Sequence, residues 1–405
     1  MGRPTVAKID LSAIMHNVRT VRKLTGGRKI CAAVKADAYG HGAPAAAKAM
    51  DAAGVDMFGV AMTEEGIQLR EAGIQKPVIL LTRVPEIDSD ELINHELTAC
   101  ITDESFAEFL SEKALRHGQP TPVHVNVDTG MGRVGIPHQE AAAAVLRISE
   151  LPGLKLTGLF THFACSGDRS LSREQLALFR GVLRSLVEQG YELPTVHVAN
   201  STATLLMPEA HMDCVRPGLI LYGLMPTGVP TPELDLRPAL SLHTRVSFLK
   251  SVPPGTKLGY GHTFTTWRHS KIATLPIGYH DGYLRQYSNC GQVLVGGKRA
   301  PVVGRVCMDQ TLADVTEVDG VKAQDEVVVY GEQNGTRVSI QEMASLLGRI
   351  PYELTCSVGG RVRRQYWYEG SMLTETPMRS LVPPESLREI FPQKASDDRS
   401  DKEAA

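Results

Sequence analysis

The strongest constraint on what this chain can fold into is a rhythm. Between residues 28 and about 218, eight short apolar runs alternate with segments of helical spacing or helix-forming composition. The runs are Lys29–Lys35, Met57–Ala61, Val78–Thr82, Leu97–Ile101, Val123–Asp128, Leu156–His162, Thr195–Ala199 and Met212–Arg216. The clearest helical segments are Ala43–Ala53, Thr63–Ala72, Asp103–His117, His138–Glu150 and Ser172–Gln189, with Thr63, Asp103 and Ser172 placed to cap them. Continuous apolar strands separated by helices describe a parallel sheet covered on both faces. Eight of them over about 190 residues fit a (β/α)8 barrel better than an open doubly wound sheet. The open sheet would carry a glycine-rich dinucleotide turn after its first strand, and Lys35-Ala-Asp-Ala-Tyr-Gly-His-Gly is not one.

Near Pro238 the texture changes. The segments Ala239–Val252, Lys271–Ile277, Gln292–Val295, Ala300–Met308, Thr311–Val315 and Glu326–Tyr330 are short, rich in Val and Thr, and separated by Gly, Pro and Asn. They predict a mainly antiparallel β domain, with one short helix over Ile340–Leu347. The expected organisation is a barrel over 11–237, the Pro-rich linker Met225–Pro238, a β domain over 238–375 and a poorly ordered tail over 376–405.

Charge excludes some functions. Lys plus Arg number 43 and Asp plus Glu 45, a net charge of −2 that leaves no electrostatic footprint for nucleic acid or an anionic membrane. The seven cysteines are scattered, with no spacing suited to zinc, so free thiols in a reducing compartment and no metal site are expected. The first residues lack the apolar core of a signal peptide, and no run approaches the roughly eighteen apolar residues of a membrane span. A soluble, cytoplasmic protein is the expectation.

A barrel of this kind places its chemistry where the strands end. The polar residues at those ends are Lys35 to Tyr39, Asp128 to Arg133, Thr161-His162, Asn200-Ser201 and Arg216 to Gly218. The last two loops are the usual phosphate site of the fold. Lysine forms Schiff bases with carbonyls. A lysine with a phosphate site at an apolar mouth suggests pyridoxal phosphate.

At this point a resemblance emerges. AVKADAYGHG (33–42), VDTGMGRVG (127–135), THFA (161–164), ANS (199–201), RPGLILYG (216–223), GYGHTF (259–264), LPIGYHDGYLR (275–285) and VGRVCMDQ (303–310) resemble, in order, the motifs of the alanine racemase family of fold-type III pyridoxal-phosphate enzymes. The resemblance covers roughly residues 3–368. It implies an N-terminal barrel, a β domain into which an N-terminal strand over 3–10 pairs, and a head-to-tail homodimer with shared active sites.

The resemblance also implies roles. Lys35 matches the lysine that holds the cofactor as an aldimine and acts as one base. Tyr260 matches the second base, reaching the other face of the substrate from the neighbouring subunit. Racemisation removes the α-proton from one face and returns one to the other, so each face needs its own acid/base. A tyrosine of ordinary pKa, about 10, is a poor base at neutral pH and needs a tuning neighbour. Arg216 resembles the arginine facing the pyridine nitrogen. A guanidinium hardly gives up its proton, so the ring stays a weak electron sink, which favours racemisation over transamination. Tyr39, Ser201, Gly218 and Leu219 match phosphate contacts, His162 the imidazole beside the ring, and Asn200 a nearby polar contact. Arg133 and the Met308 backbone match the groups that receive the substrate carboxylate, with Arg133 also reaching the cofactor's phenolic oxygen. Tyr279, Arg285, Arg305 and Asp309 resemble an entrance channel, and Cys307 is read as packing. The product, D-alanine, would supply peptidoglycan precursors.

Three positions depart from the pattern. Many relatives carry a carbamylated lysine where this chain has Asn126, so Arg133 needs another partner, an anion or an acceptor side chain. Many carry a phosphate-binding tyrosine where Gly360 aligns, which points to a serine or broad small-amino-acid racemase as the alternative. His262 and His280 stand beside Tyr260 and Tyr279 where smaller residues are common, as structural residues or as tuners of the tyrosines. A barrel decarboxylase lacks support, because no glycine triplet serves its phosphate. A single-barrel cofactor carrier would lack the residues after Pro238.

Overall fold

A computed structural model describes residues 3–229 and 234–375. The linker residues 230–233 and the tail from 376 lie outside them.

Eight parallel strands make the barrel wall, in the order Val78–Leu80, Met57–Val60, Lys29–Ala33, Cys214–Val215, Thr195–His197, Leu154–Phe160, Thr121–Asp128 and Ala99–Ile101, and the two-residue strand Ile136–Pro137 pairs beside Thr121–Asp128 in the same sheet. The two ends meet: Leu80 N–H donates to the Thr98 carbonyl at 2.9 Å, and Thr98 N–H to that of Val78 at 2.8 Å. That closes the barrel and removes its edges. Helices pack outside against the strands' outward residues, their apolar stripes merging into one continuous core. Inside the barrel, Cys31, Met57, Ile79 and Cys214 form a separate small cluster with Leu81.

The second body is built on an eight-stranded sheet that runs Lys298–Pro301, Gln292–Val295, Glu326–Gln333, Leu240–Arg245, Val6–Asp10, Arg363–Tyr368 and Ser371–Glu375, with Thr336–Val338 beside Glu326–Gln333. Val6–Asp10 therefore crosses from the start of the chain into this sheet, antiparallel to Leu240–Arg245 and parallel to Arg363–Tyr368. The N-terminal strand is five residues long, shorter than the expected 3–10. A three-stranded sheet, Phe248–Val252, Ser270–Leu275 and Thr311–Asp314, and the ribbon Lys257–Leu258 with Phe264–Thr265 complete the domain.

Several sequence expectations need correction. The helix expected from Ser172 begins at Arg169, because Asp168 caps it by accepting from Ser170 and Leu171 N–H. Thr63 is the first helical residue, not the cap. Glu65 reaches back to the N–H groups of Ala61 and Met62. Ala239–Val252 breaks into two strands near Val246 and Ser247, which separate Leu240–Arg245 from Phe248–Val252. Of the Ala300–Met308 region only Ala300 and Pro301 belong to a strand, Lys298–Pro301, with Val302 bridging to Ala313; the rest is loop. A second short helix, Pro351–Cys356, follows Ile340–Leu346.

Candidate active site

Lys35 follows the first barrel strand, and the chain then makes a turn of left-handed helix. Ala36, Asp37, Ala38 and Tyr39 all have φ between 52° and 55°. Each L-residue there costs about 1–2 kcal/mol, so neighbours must hold the turn. Glu65 accepts the Ala36 N–H at 2.6 Å, and Asp37 accepts that of Ala43 at 2.8 Å. The β domain closes over the same turn. A Cβ on Gly40 would lie 2.1 Å from the Thr355 carbonyl oxygen, and one on Gly42 1.9 Å from the Tyr366 hydroxyl. Only glycine permits that approach. Burial pushes the Lys35 amine below the ordinary lysine value, with the Arg133 charge acting the same way and Glu65 and Cys356 opposing. A lysine more readily neutral is a better nucleophile and base.

Arg216 lies across the rim, only 5% exposed. Its Nη1 donates to His197 Nδ1 at 2.8 Å and the His197 carbonyl at 2.7 Å. Its Nη2 donates to the Thr161 and Val198 carbonyls at 2.7 and 3.1 Å and approaches His162 Nδ1 at 3.3 Å. Nε–H alone has no partner among the described residues. Burial lowers the guanidinium to about 10, still protonated at neutral pH. Burial and the Arg216 charge hold His162 neutral, down to about 3.

Beside them lies a small cradle. Gly218 N–H donates to Ser201 Oγ at 2.9 Å, and a Cβ on Gly218 would stand 2.5 Å from the Tyr39 hydroxyl. That hydroxyl has no hydrogen-bond partner among the described residues. Its ring is half-buried beside Tyr222 and Tyr352, at centroid distances of 5.2 and 5.7 Å. Leu219 is fully buried behind it. Asn200 caps the helix Ser201–Leu206 and donates to Ser166 Oγ at 2.6 Å. Arg133 is exposed and makes no ion pair or hydrogen bond among the described residues, while Asn126 is buried against the Cys100 thiol.

Tyr260 is on the β domain and 71% exposed. The charged and polar groups acting on Lys35 are Arg133, Glu65 and Cys356, so this chain does not bring Tyr260 into that set. Met308 and Tyr279 share Tyr260's domain and are also exposed. Their two loops are pinned by Asp281, fully buried, which pairs with Arg3 and with Arg361, each at 2.6 Å. Arg361 also pairs with Asp309 at 2.8 Å, and Tyr279 N–H donates to the Cys307 carbonyl at 3.0 Å. Arg305 is exposed with its guanidinium against Gly261, and Arg285 is exposed. Neither His262 nor His280 hydrogen-bonds through its imidazole to Tyr260 or Tyr279 among the described residues. His262 instead sits at φ 48°.

The sequence reasoning missed Glu65, which braces the turn after Lys35, His197, which holds Arg216, and Asp281. Inward-facing histidines in VHVNVD and TVHVA were a signal for the second kind.

Comparison with known proteins agrees with this architecture. Two family models match in tandem: alanine racemase, N-terminal domain, over residues 9–226, and alanine racemase, C-terminal domain, over 239–366. The chain is an amino-acid racemase, an isomerase. It belongs to the alanine racemase family. It is 44% identical to alanine racemase 2 of Caldanaerobacter subterraneus subsp. tengcongensis over 374 residues, 91% of this chain and 96% of that protein. It is 40% identical to the alanine racemase of Methanococcus maripaludis, over 90% of this chain and 99% of that one. Among solved structures, alanine racemase of Clostridium difficile superposes with TM-score 0.89 at 34% identity, covering 93% and 99% of the two chains. That of Bacillus anthracis with bound L-Ala-P superposes with TM-score 0.87 at 34% identity, covering 93% and 98%.

Proposed function

We propose that this chain interconverts L- and D-alanine with pyridoxal 5′-phosphate, using Lys35 and Tyr260 as acid/base groups on opposed faces. The observation that carries this reading is one convergence. A lysine depressed below its ordinary value shares a barrel mouth with an arginine whose Nε–H alone is free. Pyridoxal phosphate fits these residues. The unpartnered Nε–H of Arg216 suits the pyridine nitrogen, and the cradle of Tyr39, Ser201, Gly218 and Leu219 suits the phosphate. When bound, the cofactor withdraws electrons from the substrate α-carbon and makes its proton labile.

This chain's residues do the rest. Lys35 Nζ accepts or returns a proton on one face, and the Tyr260 hydroxyl serves the other. Arg216 would hold the cofactor's pyridine nitrogen through its Nε–H, and because a guanidinium hardly gives up its proton it would not protonate that nitrogen. His162, neutral by burial, would offer its imidazole to the cofactor's ring, and Asn200 orders the loop that carries Ser201. Arg133 and the Met308 N–H receive the substrate carboxylate. Tyr279, Arg285, Arg305 and Asp309 line the approach.

Tyr260 comes from a second copy in a head-to-tail homodimer. Tyr260 and Met308 are each more than half exposed on the β domain, which leaves both available to a second copy. The reading puts the enzyme in the cytoplasm, where D-alanine feeds peptidoglycan precursors. No helix among the described residues is long and apolar enough to cross a membrane. A second reading, activity on serine, rests on Gly360, whose missing Cβ would meet nothing within 4 Å. The test incubates purified protein and cofactor with L-alanine and scores the product by chiral chromatography. Equal amounts of both enantiomers at equilibrium are expected, and unaltered L-alanine contradicts the proposal.

A further inference from the structure

The barrel has a second mouth. At the starts of the strands, opposite the rim that carries Lys35, lies a cavity of about 620 Å³, within the range that holds small-molecule ligands. Its lining includes Lys29, Arg70, Glu96, Thr121, His124 and Lys155. Arg70 is a brace, because its guanidinium is occupied by the carbonyls of Ile74, Lys76, His95 and Glu96. Lys29 and Lys155 form no ion pair or side-chain hydrogen bond among the described residues.

His124 reaches this mouth from inside the barrel, only 4% exposed. Its tautomer follows from its partners. Arg216 can only donate, so His197 Nδ1 accepts and His197 Nε2 carries the proton. That N–H donates to His124 Nδ1 at 2.8 Å, which leaves the His124 proton on Nε2. The donors thus run one way, from Arg216 through His197 to His124, and end on an N–H that has no protein partner among the described residues, on a side chain that lines the cavity. The ring's seat is built for it: a Cβ on Gly158 would lie 2.4 Å from its Nδ1 and Cε1. Thr121, in the same wall, has a buried hydroxyl that lacks a partner among the described residues. Burial and the Arg216 charge hold His124 neutral, so it serves as a donor and not as a cation.

We propose that this mouth is a second small-molecule site, for a carboxylate with an apolar body, with His124 Nε2–H as its innermost donor. The donor and the two lysines select the anion. Met57, Ile93, Leu97 and three prolines in the lining favour a hydrocarbon body over inorganic phosphate.

The test titrates the holoenzyme calorimetrically with 4-bromobenzoate and locates the bromine by anomalous diffraction in crystals soaked in the same compound. The expected result is the carboxylate within hydrogen-bond distance of His124 Nε2. Binding should persist at saturating L-alanine and weaken at least about threefold in the Lys29→Ala/Lys155→Ala variant, whose changes are exposed and leave the fold intact. Bromine elsewhere, binding at crystal concentration only, displacement by alanine, or affinity indifferent to the two lysines would each overturn the proposal. Inorganic phosphate binding as tightly as the carboxylate would overturn the ligand class.

Discussion

Replacing Gly218 by alanine puts a methyl group 2.5 Å from the Tyr39 hydroxyl and 2.9 Å from its Cζ. An ordinary contact needs about 1 Å more. Tyr39 cannot easily yield, because its half-buried ring packs against Tyr222 and Tyr352, and the turn beneath it is left-handed and braced by Glu65. Overpacking of a tight site costs about 1–3 kcal/mol. If the cradle of Tyr39, Ser201 and Gly218 seats the cofactor's phosphate, most of that cost falls on cofactor affinity, which should drop by about 5- to 150-fold. Gly360→Ala is the matched control, since its methyl group meets nothing within 4 Å. The assay titrates apoenzyme with pyridoxal phosphate and follows the visible absorption of the bound cofactor for both variants. Wild-type affinity in Gly218→Ala, or a larger loss in Gly360→Ala, refutes the assignment of the cradle.

Three further outcomes are expected. Because Asn126 cannot form a carbamate, stripping carbon dioxide from the buffer should leave the rate unchanged; a loss restored by bicarbonate contradicts this. If the space at Gly360 widens substrate choice, Gly360→Tyr should lower the serine-to-alanine rate ratio, and an unchanged ratio argues against it. His162 and His41 are held neutral by burial to about 3 and about 4, whereas an unfolded histidine titrates near about 6.5. The unfolded chain therefore takes up these protons first. Stability is full above about pH 6.5 and declines through the folded values on acidification, by up to about 1.4 kcal/mol per pH unit per histidine. Urea midpoints should fall between pH 6.5 and 4, less steeply in His41→Gln; equal slopes for the two proteins contradict this.

Much of the barrel was legible because its signal is local. Each strand is a run of apolar residues buried on both faces, and the helix Glu104–Arg116 announces its cap in Asp103. The turn after Lys35 was not legible. Its four left-handed residues include no glycine, and what holds them, Glu65 and the β domain, is distant in sequence. The strand Arg363–Tyr368 was hidden by its arginines, which look solvated until Arg363 pairs with Glu375 at 2.7 Å and Arg364 donates to the carbonyls of Val358, Gly359 and Val362. The site residues were read from motifs, and motifs name the groups that face a ligand. They did not include His197, which holds Arg216, and they assigned no role to Asp281, which holds the Met308 loop.

Complementation gives the sharpest check on whether two chains build one site. Lys35→Ala and Tyr260→Phe homodimers, each inactive, are dissociated, mixed in equal amounts and reassociated. A heterodimer then holds one site with both defects and one with neither. Racemisation should return to about one quarter of the wild-type rate, since half the dimers are mixed and half their sites are intact. A mixture as inactive as its parents would mean that the phenol and the amine meet within one chain, or that they do not share the reaction at all.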